Sequence, residues 1–157
     1  MKEKFQEQIF QHQALIHKIC RMYRDTKEER EDLFQEIIFQ LWKAYPQFQG
    51  RSKISTWMYR IGLNTAIATF RKKQIEHSAL QDQLEISDMT RDTEDDRRDR
   101  LFWAIKQMND ADRAIITLYL DNLNYREISE IMGVSENYIG VRLNRIKQKI
   151  RKRLNIK

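Results

Sequence analysis

One proline, four glycines and a single cysteine leave this chain with few of the residues that build tight turns or crosslinks. Without proline and glycine to punctuate it, the sequence favours helices, and an all-α fold is expected. Cys20 has no partner for an internal disulfide, which fits a reducing cytoplasm. No stretch approaches the roughly 20 consecutive apolar residues of a membrane span, so no membrane insertion is expected. The opening residues Met1-Lys2-Glu3-Lys4-Phe5-Gln6-Glu7 carry charge without an apolar run, unlike a signal peptide. Glycine-rich phosphate loops, zinc-protease motifs and nucleophile elbows are missing as well, so neither a catalytic site nor a cofactor is expected.

Charge is what the chain has in abundance. Charged residues make up 33% of it, against 41% hydrophobic, and the net charge is +6. That balance argues against one large core and for small helical units facing a polyanion. The charge is also segmented. Residues 1–73 carry net +6, residues 74–100 net −5, and residues 101–157 net +5. Two basic blocks flanking an acidic one predict two small helical domains, 1–75 and 99–157, joined by a flexible linker over 76–98. The linker holds too few apolar residues to build a core, and each domain is expected to fold by itself.

In the first domain, Phe5, Ile9, His12, Ile16, Ile19 and Tyr23 recur at steps of three or four and predict one amphipathic helix. A charged break follows from Arg24 to Glu31, with Asp32 as the expected cap of the next helix. That helix buries Leu33, Ile37, Leu41 and Ala44 and ends before Pro46. A polar loop over 48–53 leads to a third helix, capped by Ser55 or Thr56 and carrying Trp57, Ile61 and Ala68. Aromatic and basic residues are interleaved from Phe48 to Lys73. Aromatic faces stack on unpaired bases while Arg and Lys follow phosphates, so this segment is a candidate for single-stranded nucleic acid. Core packing is the competing use of Trp57 and Ile61.

In the second domain, Leu101, Ala104, Ile105 and Met108 start the apolar pattern, and Asp110 or Asp112 is the expected cap of a helix through Ile115, Ile116 and Tyr119. Asn124 and Glu127 have capping-box spacing, Gly133 suits a left-handed helix end, and Ser135 caps a last helix with the stripe Ile139, Leu143, Ile146, Ile150 and Leu154. Ser129, Gly133 and Ile139 stand where a helix-turn-helix needs a small contact residue, a turn glycine and an inward β-branched anchor. The outward residues Ser135, Glu136, Asn137, Tyr138, Val141, Arg142 and Arg145 then become candidates for base edges and phosphates of duplex DNA. His17 and Cys20, three apart, do not make a zinc site by themselves, and no metal is expected.

Three segments resemble one family. Asp32-Leu33-Phe34-Gln35-Glu36-Ile37-Ile38-Phe39-Gln40-Leu41-Trp42 resembles the polymerase-binding helix of the extracytoplasmic-function (ECF) sigma factors of bacterial RNA polymerase. Phe48-Gln49-Gly50-Arg51-Ser52-Lys53-Ile54-Ser55-Thr56-Trp57-Met58-Tyr59-Arg60-Ile61, followed by Asn64, is similar to their promoter-melting segment. Tyr125-Arg126-Glu127-Ile128-Ser129-Glu130-Ile131-Met132-Gly133-Val134-Ser135 with Val141-Arg142-Leu143-Asn144-Arg145 resembles their C-terminal helix-turn-helix. The resemblance implies that Asp32, Gln35, Glu36 and Gln40 bind the largest subunit of core RNA polymerase. Phe48, Arg51, Ser52, Lys53, Thr56, Tyr59, Arg60 and Asn64 would then open and hold the −10 element of promoter DNA. The second domain would read the −35 element, the linker would thread the polymerase cleft between its largest and second-largest subunits, and an anti-sigma factor would hold the protein inactive. The chain departs from the pattern at Met108-Asn109, where the family often has Leu-Pro, at Tyr138, where Thr is usual, and at Gly140, where Lys or Arg is usual.

Two other readings compete. A stand-alone helix-turn-helix repressor or activator predicts a dimer on palindromic sites and leaves the first domain unexplained. A nuclease or recombinase using Asp32 and Glu36 lacks a third carboxylate or a nucleophile in a recognisable setting.

Overall fold

The computed structural model describes residues 2–76 and 94–155, and every regular element among them is helical. Most of the expected linker, residues 77–93, lies outside the described residues. Its last residues, from Glu94, already belong to a helix.

The first amphipathic pattern forms two helices rather than one, α1 (Lys2–Gln11) and α2 (Gln13–Tyr23). The break is at His12, which leaves helical geometry at φ −116° and ψ 16°, while its ring Nδ1 donates to the Gln8 carbonyl at 2.9 Å. The next helix, α3 (Lys27–Ala44), begins earlier than the charge pattern predicts. Thr26, not Asp32, is its cap: the Thr26 hydroxyl accepts from the Glu29 N–H at 3.2 Å and the Glu29 carboxylate accepts from the Thr26 N–H at 3.3 Å. These reciprocal bonds satisfy two of the donors a helix start leaves unpaired. Pro46 ends α3 as expected, in a 3₁₀ turn over Tyr45–Gln47. The third helix, α4 (Ile54–Glu76), starts at Ile54, so Ser55 and Thr56 lie inside it rather than at its cap.

Helices α2, α3 and α4 pack around Ile16, Ile19, Ile37, Leu41, Met58 and Leu63, all nearly or fully buried. Gly62 sets how closely α4 approaches α2. A Cβ there would stand 2.8 Å from the Ile19 Cδ1 atom, well inside van der Waals contact. Arg24, read from sequence as part of an exposed break, is instead 4% exposed. Its guanidinium donates to the Tyr23 carbonyl at 2.7 Å and to the Thr69 hydroxyl at 2.6 Å, joining the end of α2 to α4. A buried cation persists only when its donors are so engaged.

The second domain holds α5 (Glu94–Lys106), α6 (Asp110–Leu120), α7 (Tyr125–Met132) and α8 (Glu136–Arg153). Its cap at α6 is Asn109, whose side chain accepts from the Asp112 N–H at 2.8 Å, and not Asp110 or Asp112. The other local expectations hold. Asn124 and Glu127 form a capping box, Gly133 closes α7 at φ +72°, and Ser135 accepts from the Tyr138 N–H at 3.1 Å. The core is Ile115, Leu118, Ile128, Ile139, Leu143 and Ile146.

The two domains touch, although each is expected to fold by itself. Helix α7 packs across α4, and α5 and α6 pack against α2. The Tyr23 hydroxyl donates to the Asp110 carbonyl at 3.1 Å, and Arg113 reaches the Met22 carbonyl at 3.4 Å. Lys106 pairs with Asp25 at 2.7 Å, and Lys18 pairs with Asp121. Among the described residues no helix is long and apolar enough to cross a membrane.

Candidate nucleic-acid and polymerase interfaces

The residues expected to meet polymerase lie along α3. Leu33, Ile37 and Leu41 turn inward, which puts Asp32 and Gln35 in solvent and leaves Glu36 and Gln40 half-buried. Gln40 Nε2 donates to Glu36 Oε1 at 3.0 Å, an i, i+4 pair that orders both side chains. Phe39 and Trp42, three apart, are also exposed, at 55% and 41%. Trp42 is partly covered by Phe5, whose ring centroid is 5.0 Å away. Together these side chains make a mixed acidic, amide and aromatic surface on one side of the first domain.

The loop before α4 places Arg51 and Lys53 in solvent, with Phe48 and Ser52 half-buried. Phe48 packs on Trp57, ring centroids 4.9 Å apart, and Trp57 also meets Tyr45 edge-on. Trp57 is therefore partly core, as the competing reading has it. On α4, Arg60 and Asn64 are exposed, but Thr56 and Tyr59 are buried, at 5% and 3% exposure. Tyr59, expected among the −10 contacts, does not present its ring to solvent in the free chain. It stands on the inward stripe of α4 with Leu63 and Ala66, and α7 crosses the neighbouring face of the helix. Arg60 donates to the Glu130 carbonyl at 2.5 Å, and Lys53 lies 4.0 Å from the Glu127 carboxylate. The Tyr59 hydroxyl is shut in without a hydrogen-bond partner among the described residues, beside a 330 Å³ cleft that Thr56, Lys18, Asp121 and Glu127 also line.

The helix-turn-helix triad comes together as the spacing predicts. Ser129 is buried where α7 meets α8, Gly133 is left-handed in the turn, and Ile139 is fully buried. Ser135, Glu136, Asn137, Tyr138, Val141 and Arg145 are all exposed. Arg142 departs from the outward set. Its Nε and Nη2 donate to the two oxygens of Asp112 at 2.5 and 2.7 Å, and Lys149 stands 3.6 Å from the same carboxylate. The hydrogen bonds to Asp112 raise the Arg142 pKa further. Asp112 is 1% exposed, so this is a buried anion clamping α8 to α6. Sequence reasoning missed it because Asp112 also fits the pattern of a helix cap.

Other charged or reactive groups do not gather into a centre. Among the described residues no three His, Cys, Asp or Glu side chains stand close enough to hold a metal. His17 stacks on Phe34 at 4.6 Å, and burial pushes the Cys20 thiol from 9.0 up to about 11. Among the described residues, no third carboxylate converges with Asp32 and Glu36.

Comparison with known proteins places both halves. Residues 9–75 match the family Sigma-70 region 2, and residues 99–150 match Sigma-70, region 4. The chain is 27% identical to the ECF RNA polymerase sigma factor SigW of Bacillus subtilis, covering 88% of this chain and 82% of that protein. It is 26% identical to SigX of the same bacterium, covering 92% and 80%. In fold it is similar to the sigma factor RpoE, solved in complex with the anti-sigma factor NepR from Bartonella quintana, with a TM-score of 0.78 at 17% identity over 98% of each chain. A second likeness is to CnrH, solved with the cytosolic domain of CnrY, with a TM-score of 0.74 at 17% identity, covering 99% of this chain and 90% of that one.

Proposed function

The chain belongs to the sigma-70 family, among its ECF sigma factors, and from that membership we propose how its surfaces divide the work of starting transcription. The protein binds core RNA polymerase and directs it to promoters. The observation that carries this function is the order of the two matched regions, which together span both helical domains. A stand-alone repressor or activator would account for the second domain only.

The exposed side of α3 docks polymerase, through Asp32, Gln35, Glu36 and Gln40. Arg51, Lys53, Arg60 and Asn64 follow the phosphates of the opened −10 strand, while Phe48, Ser52, Thr56 and Tyr59 meet its bases. Thr56 and Tyr59, buried in the free chain, do so only after α4 and its neighbours rearrange. The second domain reads the −35 element with α8. The protein works in the cytoplasm and carries no catalytic group of its own. Its control falls to an anti-sigma protein, the class of partner with which the similar sigma factor RpoE was solved.

The test is reconstitution. Core RNA polymerase is mixed with this protein on a library of genomic fragments, and transcripts are sequenced from their 5′ ends. Starts that depend on the protein and share an upstream motif are expected. Binding to DNA without any protein-dependent start would overturn the reading in favour of a stand-alone regulator.

A further inference from the structure

Helix α8 carries seven Lys or Arg and one Glu, so affinity for the phosphate backbone is amply supplied. Such contacts hold the duplex without reading its sequence. Sequence must then be read by the side chains that α8 presents outward near its start. Glu136, Asn137 and Arg145 are its exposed polar members. Gly140 has no side chain. Arg142 is turned sideways, its Nε and Nη2 spent on Asp112. What remains prominent is apolar: Tyr138 and Val141, three apart on one face, are 49% and 46% exposed. Tyr125 widens the same face. Its ring lies 3.4 Å from where a Gly140 Cβ would be, and it is 39% exposed. Three large apolar side chains exposed together on the most basic helix of the second domain need a partner that is apolar in places and anionic around them. The major groove of DNA is such a partner, because each thymine puts a methyl group there.

We propose that α8 reads its element chiefly through apolar contact, with Val141 and Tyr138 seated on thymine methyl groups. The proposal rests on the reading that the second domain binds promoter DNA. It makes Val141 and Tyr138 the specificity-determining residues and gives Arg142 the task of holding the helix at the right pitch.

The experiment uses the whole protein assembled with core polymerase. Binding sites are selected from duplexes randomised across the upstream element, and each thymine of the selected element is then replaced by deoxyuridine, which removes the methyl alone. At one or more positions the replacement should weaken binding about fourfold, the value of one buried methyl-sized group. The double variant Val141→Ala, Tyr138→Ser should bind thymine and uracil duplexes equally; both positions are exposed, and circular dichroism checks that α8 persists. An enriched element whose thymines can all be replaced without effect would overturn the proposal, as would a methyl effect that survives in the double variant. Failure to enrich any upstream element would instead overturn the promoter-binding reading beneath it.

Discussion

Arg113 of the second domain lies over the ring of Tyr23 in the first, its guanidinium carbon 5.1 Å from the ring centroid. The same side chain donates to the carbonyls of Met22, at 3.4 Å, and Lys106, at 2.5 Å. It thereby ties the end of α2 to the second domain at a point 6% exposed. Losing a buried charged donor costs about 1.5–3 kcal/mol. Arg113→Ala is therefore expected to loosen the contact between the domains, read as a larger radius of gyration by small-angle scattering and faster amide exchange along α4. Tighter binding of single-stranded DNA by the free chain should accompany it. An unchanged radius and unchanged exchange would count against the interface.

The α3 surface makes a separate prediction. Asp32→Arg with Gln35→Arg should abolish co-purification with core polymerase while helicity stays the same, because both positions are exposed and neither caps the helix. Retained co-purification would reject the docking surface.

Arg142 should prove to be a stability residue. Its removal leaves the carboxylate of Asp112, 1% exposed, with only Lys149 at 3.6 Å. Breaking a buried pair from one side costs 3–5 kcal/mol in general, and about 3 kcal/mol is expected for Arg142→Ala because Lys149 remains. Urea unfolding of the full chain measures it. A variant of unchanged stability that has lost DNA binding would return Arg142 to the reading face.

Two glycines of the helix-turn-helix should respond with opposite signs. At Gly140 an added Cβ meets the Tyr125 ring at 3.4 Å, ordinary contact, so Gly140→Ala should stabilise α8 by about 1 kcal/mol. At Gly133, φ is +72°, where a Cβ is strained although space is open, so Gly133→Ala should destabilise by about 1 kcal/mol. Thermal unfolding of the two variants side by side decides it.

Cys20 should be inert in the folded protein. It is 2% exposed, and burial raises its thiol from 9.0 to about 11, against the smaller opposite pull of Arg24 and Arg30. The thiolate is the reactive form, so iodoacetamide should label Cys20 at neutral pH only after unfolding. The folded state holds its proton more tightly than the unfolded one. The stability so conferred is complete below about pH 9 and is lost as pH rises towards 11. Cys20→Ala should flatten that part of the decline; the buried Tyr23 hydroxyl, also raised by burial, leaves the rest.

The features legible in the sequence were those that a few neighbouring residues decide. The Asn124–Glu127 box, the left-handed Gly133, the Ser135 cap and the stripe from Ile139 onward each depend on spacing within one or two turns. Thr26 and Glu29 had the same signature, and the run of charges around them drew the boundary to Asp32 instead. The residues that escaped reading are charged and buried. Arg24, Arg113 and Asp112 look like surface in any local pattern, and only partners tens of residues away make their burial affordable. Tyr59 is different: it stands four and seven residues before the buried Leu63 and Ala66, on the inward stripe of α4, so spacing alone marked it for the core.

The eight residues of α7 serve two neighbours at once. Ser129 and Ile128 bed the recognition helix, while Glu127 and the carbonyl of Glu130 hold down the loop and helix of the first domain. The exposed faces of Tyr138 and Val141 are left clear of that contact. On the proposed division of surfaces, the duplex-reading face is therefore open in the free chain while part of the −10 face lies against α7. On that proposal selection can tune the two properties separately: changes at Glu127 would alter its pairing with Lys53, and changes at Tyr138 and Val141 would redirect which sites are visited.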